Sequence, residues 1–219
     1  MVTLAAIRAQ AGENGLTVTG GFHTGPDDGA PEGTRTLLLL GYGGHEMWAA
    51  FQAGPEAADG ARHPLDRWST RVIGALAEAF DAKALFPFGG PPYQPFIRWT
   101  YAGEPIQQSK LGMSIHPSRG LWSGWRGALA FSEVVETPAQ APAQSLCAPC
   151  PAPCRAACPV GAFTDDGYDA AACRAHLNGP AGAPCRTKGC LARRACPVGA
   201  EAAQSDAQAA FHLDAFRVA

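Results

Sequence analysis

The feature that most constrains this 219-residue chain is the crowding of all eight of its cysteines between residues 147 and 196. Residues 1–146 contain none. The first run has the spacing C-x2-C-x3-C-x3-C and is followed directly by a proline; its members are Cys147, Cys150, Cys154 and Cys158. The second run is looser and also ends before a proline; its members are Cys173, Cys185, Cys190 and Cys196. Four thiolates this close can surround one compact charge centre or divide between two.

An internal repeat favours the division between two centres. The hexapeptide ACPVGA occupies residues 157–162 and recurs at residues 195–200. The first cysteine run is similar to the bacterial ferredoxin run C-x2-C-x2-C-x3-C-P, with one extra residue between its second and third cysteines. In that run the fourth cysteine binds the other cluster. The same exchange predicts one [4Fe–4S] cluster on Cys147, Cys150, Cys154 and Cys196, and a second on Cys158, Cys173, Cys185 and Cys190.

Disulfides and structural zinc are two other uses of cysteines, and the sequence favours both less than iron–sulfur clusters. Disulfides suit small secreted domains, whereas Arg8 interrupts the only apolar stretch near the N-terminus, which is not the pattern of a secretory signal. Structural zinc usually shows two separate C-x2-C pairs, and this chain has one. A zinc-bound interaction module is therefore the less favoured alternative.

Basic side chains crowd the second run: Arg186, Lys188, Arg193 and Arg194. They either compensate the negative charge of a thiolate-bound cluster or form a docking patch for an acidic redox partner protein.

Composition divides the chain into two parts. All five tryptophans precede residue 126, and all cysteines follow residue 146. We expect an α/β domain over residues 1–136, a small, polar, proline-containing linker over 137–145, and a cysteine-rich domain over 146–219. Apolar runs predict strands at 36–41 and 127–135, helical periodicity predicts helices over 63–86 and 205–216, and together these indicate an α+β fold.

Charge and hydropathy exclude two classes of partner. The formal net charge is −2, which gives no electrostatic reason to bind nucleic acid or an acidic membrane surface. No apolar run approaches the roughly 18 residues that a membrane span needs. We expect a cytoplasmic protein that binds neither nucleic acid nor membrane.

Residues 111–127 (LGMSIHPSRGLWSGWRG) resemble a segment of CblC, the cobalamin-trafficking and cobalamin-reducing protein. The order of this segment, a strand, a linker and the cysteine runs resembles epoxyqueuosine reductase and, more distantly, the reductive dehalogenases. Residues 168–177 (YDAAACRAHL) stand where those reductases carry an isolated fifth cysteine. The resemblance covers roughly residues 100–200. The chain is much shorter than epoxyqueuosine reductase and has nothing like its C-terminal helical repeats for tRNA.

The resemblance implies a nitroreductase/CblC-like domain followed by a small ferredoxin-like domain with two [4Fe–4S] clusters. It implies an iron–sulfur redox protein that passes electrons to an acceptor in its N-terminal domain, a corrinoid (cobalamin) or a flavin, and hence a corrinoid-linked oxidoreductase. The alternative is a ferredoxin-type electron carrier without a corrinoid, which serves a separate redox partner.

Three residues become candidates for contact with that cofactor, and each has a structural alternative. His116 is expected near the corrinoid face, unless it serves the turn that precedes Pro117. Trp122 stacks on a planar macrocycle or packs in a core. Arg126 binds an anionic group of the cofactor or pairs with a buried carboxylate.

Overall fold

The computed structural model describes residues 2–42, 44–142 and 145–218. The chain forms a mixed α+β fold, which confirms the expected class at that level. It divides into two compact units. The first comprises residues 1–105 and 124–142, and the second comprises residues 106–123 and 143–219.

A four-stranded antiparallel sheet forms the centre of the first unit. Its strand order is β1-β2-β6-β3, with β1 at Thr17–His23, β2 at Thr36–Tyr42, β3 at Lys83–Leu85 and β6 at Gly124–Phe131. Four helices accompany it: α1 at Leu4–Gly12, α2 at Glu46–Ala53, α3 at Pro64–Ala79 and α4 at Phe96–Gly103. Every residue of β2 is buried, as the apolar run at 36–41 predicted.

Helix α3 confirms the long helix predicted from residue 63 onward. Proline at its first position suits the helix start, because the missing N–H has no intrahelical partner there. Its buried side chains follow one face: Leu65, Trp68, Val72, Ile73 and Leu76. The predicted end at residue 86 is wrong, since the helix stops at Ala79 and residues 83–85 join the sheet as an edge strand.

Two small antiparallel pairs and five helices build the second unit. The pairs join β4 at Gln107–Gln108 to β5 at Ser114–Ile115, and β7 at Phe163–Thr164 to β8 at Gly167–Tyr168. The helices are α5 at Pro153–Ala156, α6 at Ala170–Asn178, α7 at Ala183–Lys188, α8 at Leu191–Arg194 and α9 at Asp206–Val218. Helix α9 confirms the predicted C-terminal helix.

The ACPVGA repeat is also a repeat in backbone conformation. The C-cap residue of α5, Ala157, has φ −78° and ψ −7°, and the C-cap residue of α8, Ala195, has φ −78° and ψ −4°. The glycines that close the two copies, Gly161 and Gly199, have φ of 58° and 66°. Each copy therefore places a short helix, a Cys-Pro pair and a left-handed glycine in the same order, and α5 contacts α8.

The structure places residues 106–123 in the second unit, whereas the sequence assigned them to a domain spanning 1–136. Three buried side chains of the segment, Leu111, Ile115 and Leu121, form a cluster with Cys154, Ala192 and Cys196. These apolar contacts bring the segment to the cysteines. The predicted linker at 137–145 includes Ala143 and Gln144, which lie outside the described residues.

A close backbone approach fixes the segment to the second copy of the repeat. A Cβ on Gly199 would lie 2.3 Å from the backbone of Arg119 and Gly120, and a Cβ on Gly120 would lie 1.8 Å from the carbonyl oxygen of Val198. Both glycines also have a positive φ. No other residue fits either position without moving the backbone.

The repeat supplies a matched test of this contact. Gly199→Ala and Gly161→Ala impose a similar left-handed strain of about 1–2 kcal/mol, but a Cβ at Gly161 meets nothing within 4 Å. We expect Gly161→Ala to lower the free energy of unfolding by about that strain alone, and Gly199→Ala to lower it by clearly more. Chemical denaturation of both variants checks this, and equal losses would contradict the contact.

Candidate functional site

The eight cysteines are free thiols that fall into two electrostatic groups of four. Cys196 is repelled by the charges of Cys154, Cys147 and Cys150, and Cys154 by those of Cys150 and Cys147. We call these the first quartet: Cys147, Cys150, Cys154 and Cys196. Cys185 and Cys190 are each repelled by Cys173 and Cys158. We call these the second quartet: Cys158, Cys173, Cys185 and Cys190.

The two quartets do not follow chain order. Cys196 lies six residues beyond Cys190 in sequence but interacts with the three cysteines of the first run. Cys158 closes the first run but interacts with the cysteines of the second. The ferredoxin-like spacing predicts the same division of the cysteines, and their binding of clusters stays a prediction.

Burial holds several of these thiols in their protonated form. It is the largest cause that raises the pKa of Cys154, Cys185, Cys190 and Cys196, and the charge of neighbouring cysteines raises each of these pKa values further. Four neighbouring sulfurs that repel each other as thiolates require a positively charged centre to be stable when ionised.

Backbone N–H groups point at the sulfurs. Cys190 is the N-cap of α8, and the N–H groups of Arg193 and Ala192 oppose the rise in its pKa that burial causes. The N–H of Ala162 lies 3.3 Å from Cys158 Sγ, and the N–H of Val198 reaches Cys196. The repeated helix and Cys-Pro turns thus supply donors that suit sulfurs carrying negative charge.

Within residues 2–42, 44–142 and 145–218, no three His, Cys, Asp or Glu side chains come together closely enough to bind a single metal ion. A [4Fe–4S] cluster takes four thiolates, one on each iron atom. Two sets of four cysteines, each with backbone donors, fit such a group.

A cavity of about 260 Å³ adjoins the second quartet. All four of its cysteines line the cavity, together with apolar side chains such as Leu177, Leu191 and Phe216. The second quartet therefore borders a cavity that is lined largely by apolar side chains.

The arginines near the cysteines are engaged within the second unit. Arg186 donates to the carbonyl oxygens of Leu177 and Gly179. Arg194 donates to the carbonyl of Lys188 and pairs with Asp206 at 2.8 Å. These contacts hold both guanidinium groups against carbonyl oxygens and a carboxylate of the second unit.

His116 serves the turn that it begins. Its Nδ1 accepts from the N–H groups of Ser118 at 3.1 Å and Arg119 at 3.3 Å. Burial, with a smaller contribution from the charge of Arg119, lowers the pKa of His116 from 6.5 to about 4. The imidazole is therefore neutral at physiological pH and acts as an acceptor through Nδ1.

Trp122 is 2% exposed and lies in the second unit with His116. The guanidinium carbons of Arg193 and Arg194 lie 4.4 Å and 5.6 Å from its ring centroid. Arg193 also donates to the carbonyl of Leu121 at 2.7 Å. The indole is thus engaged by cations of α8.

Arg126 lies in the first unit, whereas His116 and Trp122 lie in the second. It donates to Asp66 at 2.5 Å and to Ser69 Oγ at 2.9 Å, and its side chain is 12% exposed. This is the carboxylate pairing that was the structural alternative for this residue. The structure does not unite the three candidate cofactor contacts in one unit.

Two side chains that contact the second quartet are not among the residues predicted from the sequence. His176 Nε2 lies 3.7 Å from Cys185 Sγ, and the Tyr168 side chain hydrogen-bonds Cys173. The signal was present in the spacing Cys173-x2-His176, because residues three apart share one face of a helix.

Comparison with protein-family models, with curated proteins and with solved structures finds no match to this chain. In the part of the chain that the structure describes, each helix is too short or too polar to cross a membrane. Support for a function therefore comes from the residues of the chain itself.

The role of His116 predicts a pH dependence. Because its folded pKa is below 6.5, the stability contributed by the neutral ring is fully present above about pH 6.5 and is lost as pH falls through about 4. His116→Asn keeps an acceptor near Nδ1 but does not titrate. We expect the stability of the wild-type chain relative to His116→Asn to fall between pH 6.5 and 4, measured by thermal unfolding in the same cofactor state. A pH-independent difference would show that the ring does not act as this acceptor.

Proposed function

We propose that this chain is an electron-transfer protein that holds two [4Fe–4S] clusters in its second unit. The observation that carries the proposal is the grouping of eight free cysteines into two quartets, each with members from both cysteine runs. Cys147, Cys150, Cys154 and Cys196 would hold one cluster. Cys158, Cys173, Cys185 and Cys190 would hold the other.

The chemistry that such clusters supply when bound is the reversible uptake of single electrons. Side chains and backbone groups of this chain provide the surroundings that such clusters need. Cys154, Cys185 and Cys196 are buried, and backbone N–H groups offset negative charge on the sulfurs. Arg193 and Arg194 add positive charge next to the cysteines through their contacts with Leu121, Lys188 and Trp122.

Of the two modes considered, the arrangement favours a carrier that serves a separate redox partner. His116 and Arg126 are occupied by contacts within their own units, and Trp122 is buried beside α8. Electron transfer to a corrinoid in the first unit stays a prediction of the CblC-like segment. The structure supports neither cobalamin nor flavin through these three residues.

Metal analysis tests the proposal directly. After anaerobic purification or reconstitution, two clusters predict about eight iron atoms and about eight acid-labile sulfides per chain. Stoichiometric zinc without sulfide, or sulfur–sulfur bonds among the cysteines under reducing conditions, would contradict it.

Two double variants test which cysteines belong together. Cys154→Ala/Cys196→Ala removes two members of the first quartet and leaves the second complete, so we expect one chelator-resistant [4Fe–4S] cluster by native mass spectrometry. Cys154→Ala/Cys158→Ala removes the same number of thiols but one from each quartet, so neither retains four cysteines.

The second double variant is the matched control. If the clusters instead followed chain order, it would be the variant with one complete set, Cys173, Cys185, Cys190 and Cys196. A resistant cluster in Cys154→Ala/Cys158→Ala and none in Cys154→Ala/Cys196→Ala would overturn the assignment.

A further inference from the structure

Apolar side chains pack around both quartets. Leu111, Ile115 and Leu121 pack with Cys154 and Cys196 of the first quartet, and Cys158 and Cys190 of the second quartet pack against the same cluster. The cavity beside the second quartet is lined mainly by apolar side chains, and the polar side chains of Tyr168, His176, His212 and Gln204 also line it. Two of them contact sulfurs of the second quartet, since His176 lies near Cys185 and Tyr168 hydrogen-bonds Cys173.

His176 is directed at the second quartet by helix α6. Asp169 caps this helix by accepting from the N–H of Ala172 at 2.8 Å. One turn of helix then places Cys173 and His176 on the same face, and both line the cavity. The imidazole reaches across to α7, where its Nε2 lies 3.7 Å from Cys185 Sγ.

The direction of this hydrogen bond follows from the chemistry of the sulfur. A cysteine that binds iron is a thiolate, which carries no proton and acts only as an acceptor. The imidazole must then donate through Nε2–H. In the first quartet, the described donors to Cys154 and Cys196 are backbone N–H groups, those of Arg155 and Val198 among them.

A donor to a cluster sulfur affects the two redox states unequally. The reduced cluster carries one more negative charge than the oxidised cluster, so the donor stabilises the reduced state more. Hydrogen bonds to the sulfurs are one of the factors that set cluster potentials.

We infer that His176 is a positioning residue that donates Nε2–H to Cys185 Sγ and raises the reduction potential of the cluster that the second quartet would hold. The inference rests on the proposed function. With a cluster bound, His176 would stabilise its reduced form; a solution reductant such as dithionite would supply the electron, with no bond formed or broken.

A matched pair of variants separates the donor from the size of the side chain. His176→Phe keeps a ring and removes the donor, whereas His176→Gln keeps an N–H close to the position of Nε2. His176→Leu is a second donor-free variant if the phenylalanine ring does not fit. The measurement is a redox titration of the full chain followed by electron paramagnetic resonance, and Cys154→Ala/Cys196→Ala identifies the signal of the second quartet's cluster.

We expect both donor-free variants to lower the potential of the second quartet's cluster only. A tenfold shift in its ratio of reduced to oxidised form corresponds to about 59 mV for one electron. His176→Gln should remain close to the wild-type chain, and the first quartet's cluster should be unchanged in all variants.

The outcomes distinguish this inference from the proposed function. A wild-type chain without iron and sulfide refutes the proposed function itself. Two clusters with unchanged potentials in His176→Phe or His176→Leu refute the role of His176 alone. Loss of the second cluster from both His176→Phe and His176→Gln would identify His176 as a ligand and overturn its assignment as a donor.

Discussion

The second unit is organised by two copies of a short motif, each of which places its own cysteine among the cysteines of the other run. Each copy is a helix of one turn, a Cys-Pro pair and a left-handed glycine, and α5 contacts α8. Cys158 and Cys196 occupy equivalent places in the copies, yet each interacts with the cysteines of the other run. A centre bound by both runs would join segments that the chain itself separates, in the manner of a cross-link.

The second unit also contains residues 106–123, the segment that precedes β6. Residues 106–123 leave the first unit, pack Leu111, Ile115 and Leu121 against the first quartet, and bring Gly120 into backbone contact with Val198. The segment also contains His116, whose neutral ring holds the turn. His116 and Trp122 of this segment are thus engaged by contacts within the unit that contains the cysteines.

Local features of the sequence were predictable because they depend on neighbouring residues. The buried strand β2, the start of α3 and helix α9 follow from apolar periodicity and end signals, and the quartets follow from cysteine spacing and the repeat. The end of α3 and the placement of residues 106–123 depend on contacts between distant residues, which spacing does not encode. His176 was missed because its partner, Cys185, lies on another helix, although its place one turn after Cys173 was visible.

The central claim is that two iron–sulfur centres stand within two interleaved sets of cysteines. The most direct measurement is a crystal structure of the anaerobically prepared chain with diffraction recorded at the iron absorption edge. The account predicts two compact iron peaks, one bound by Cys147, Cys150, Cys154 and Cys196, and the other by Cys158, Cys173, Cys185 and Cys190. Iron peaks ringed by cysteines in chain order, or no iron signal among these cysteines, would contradict it.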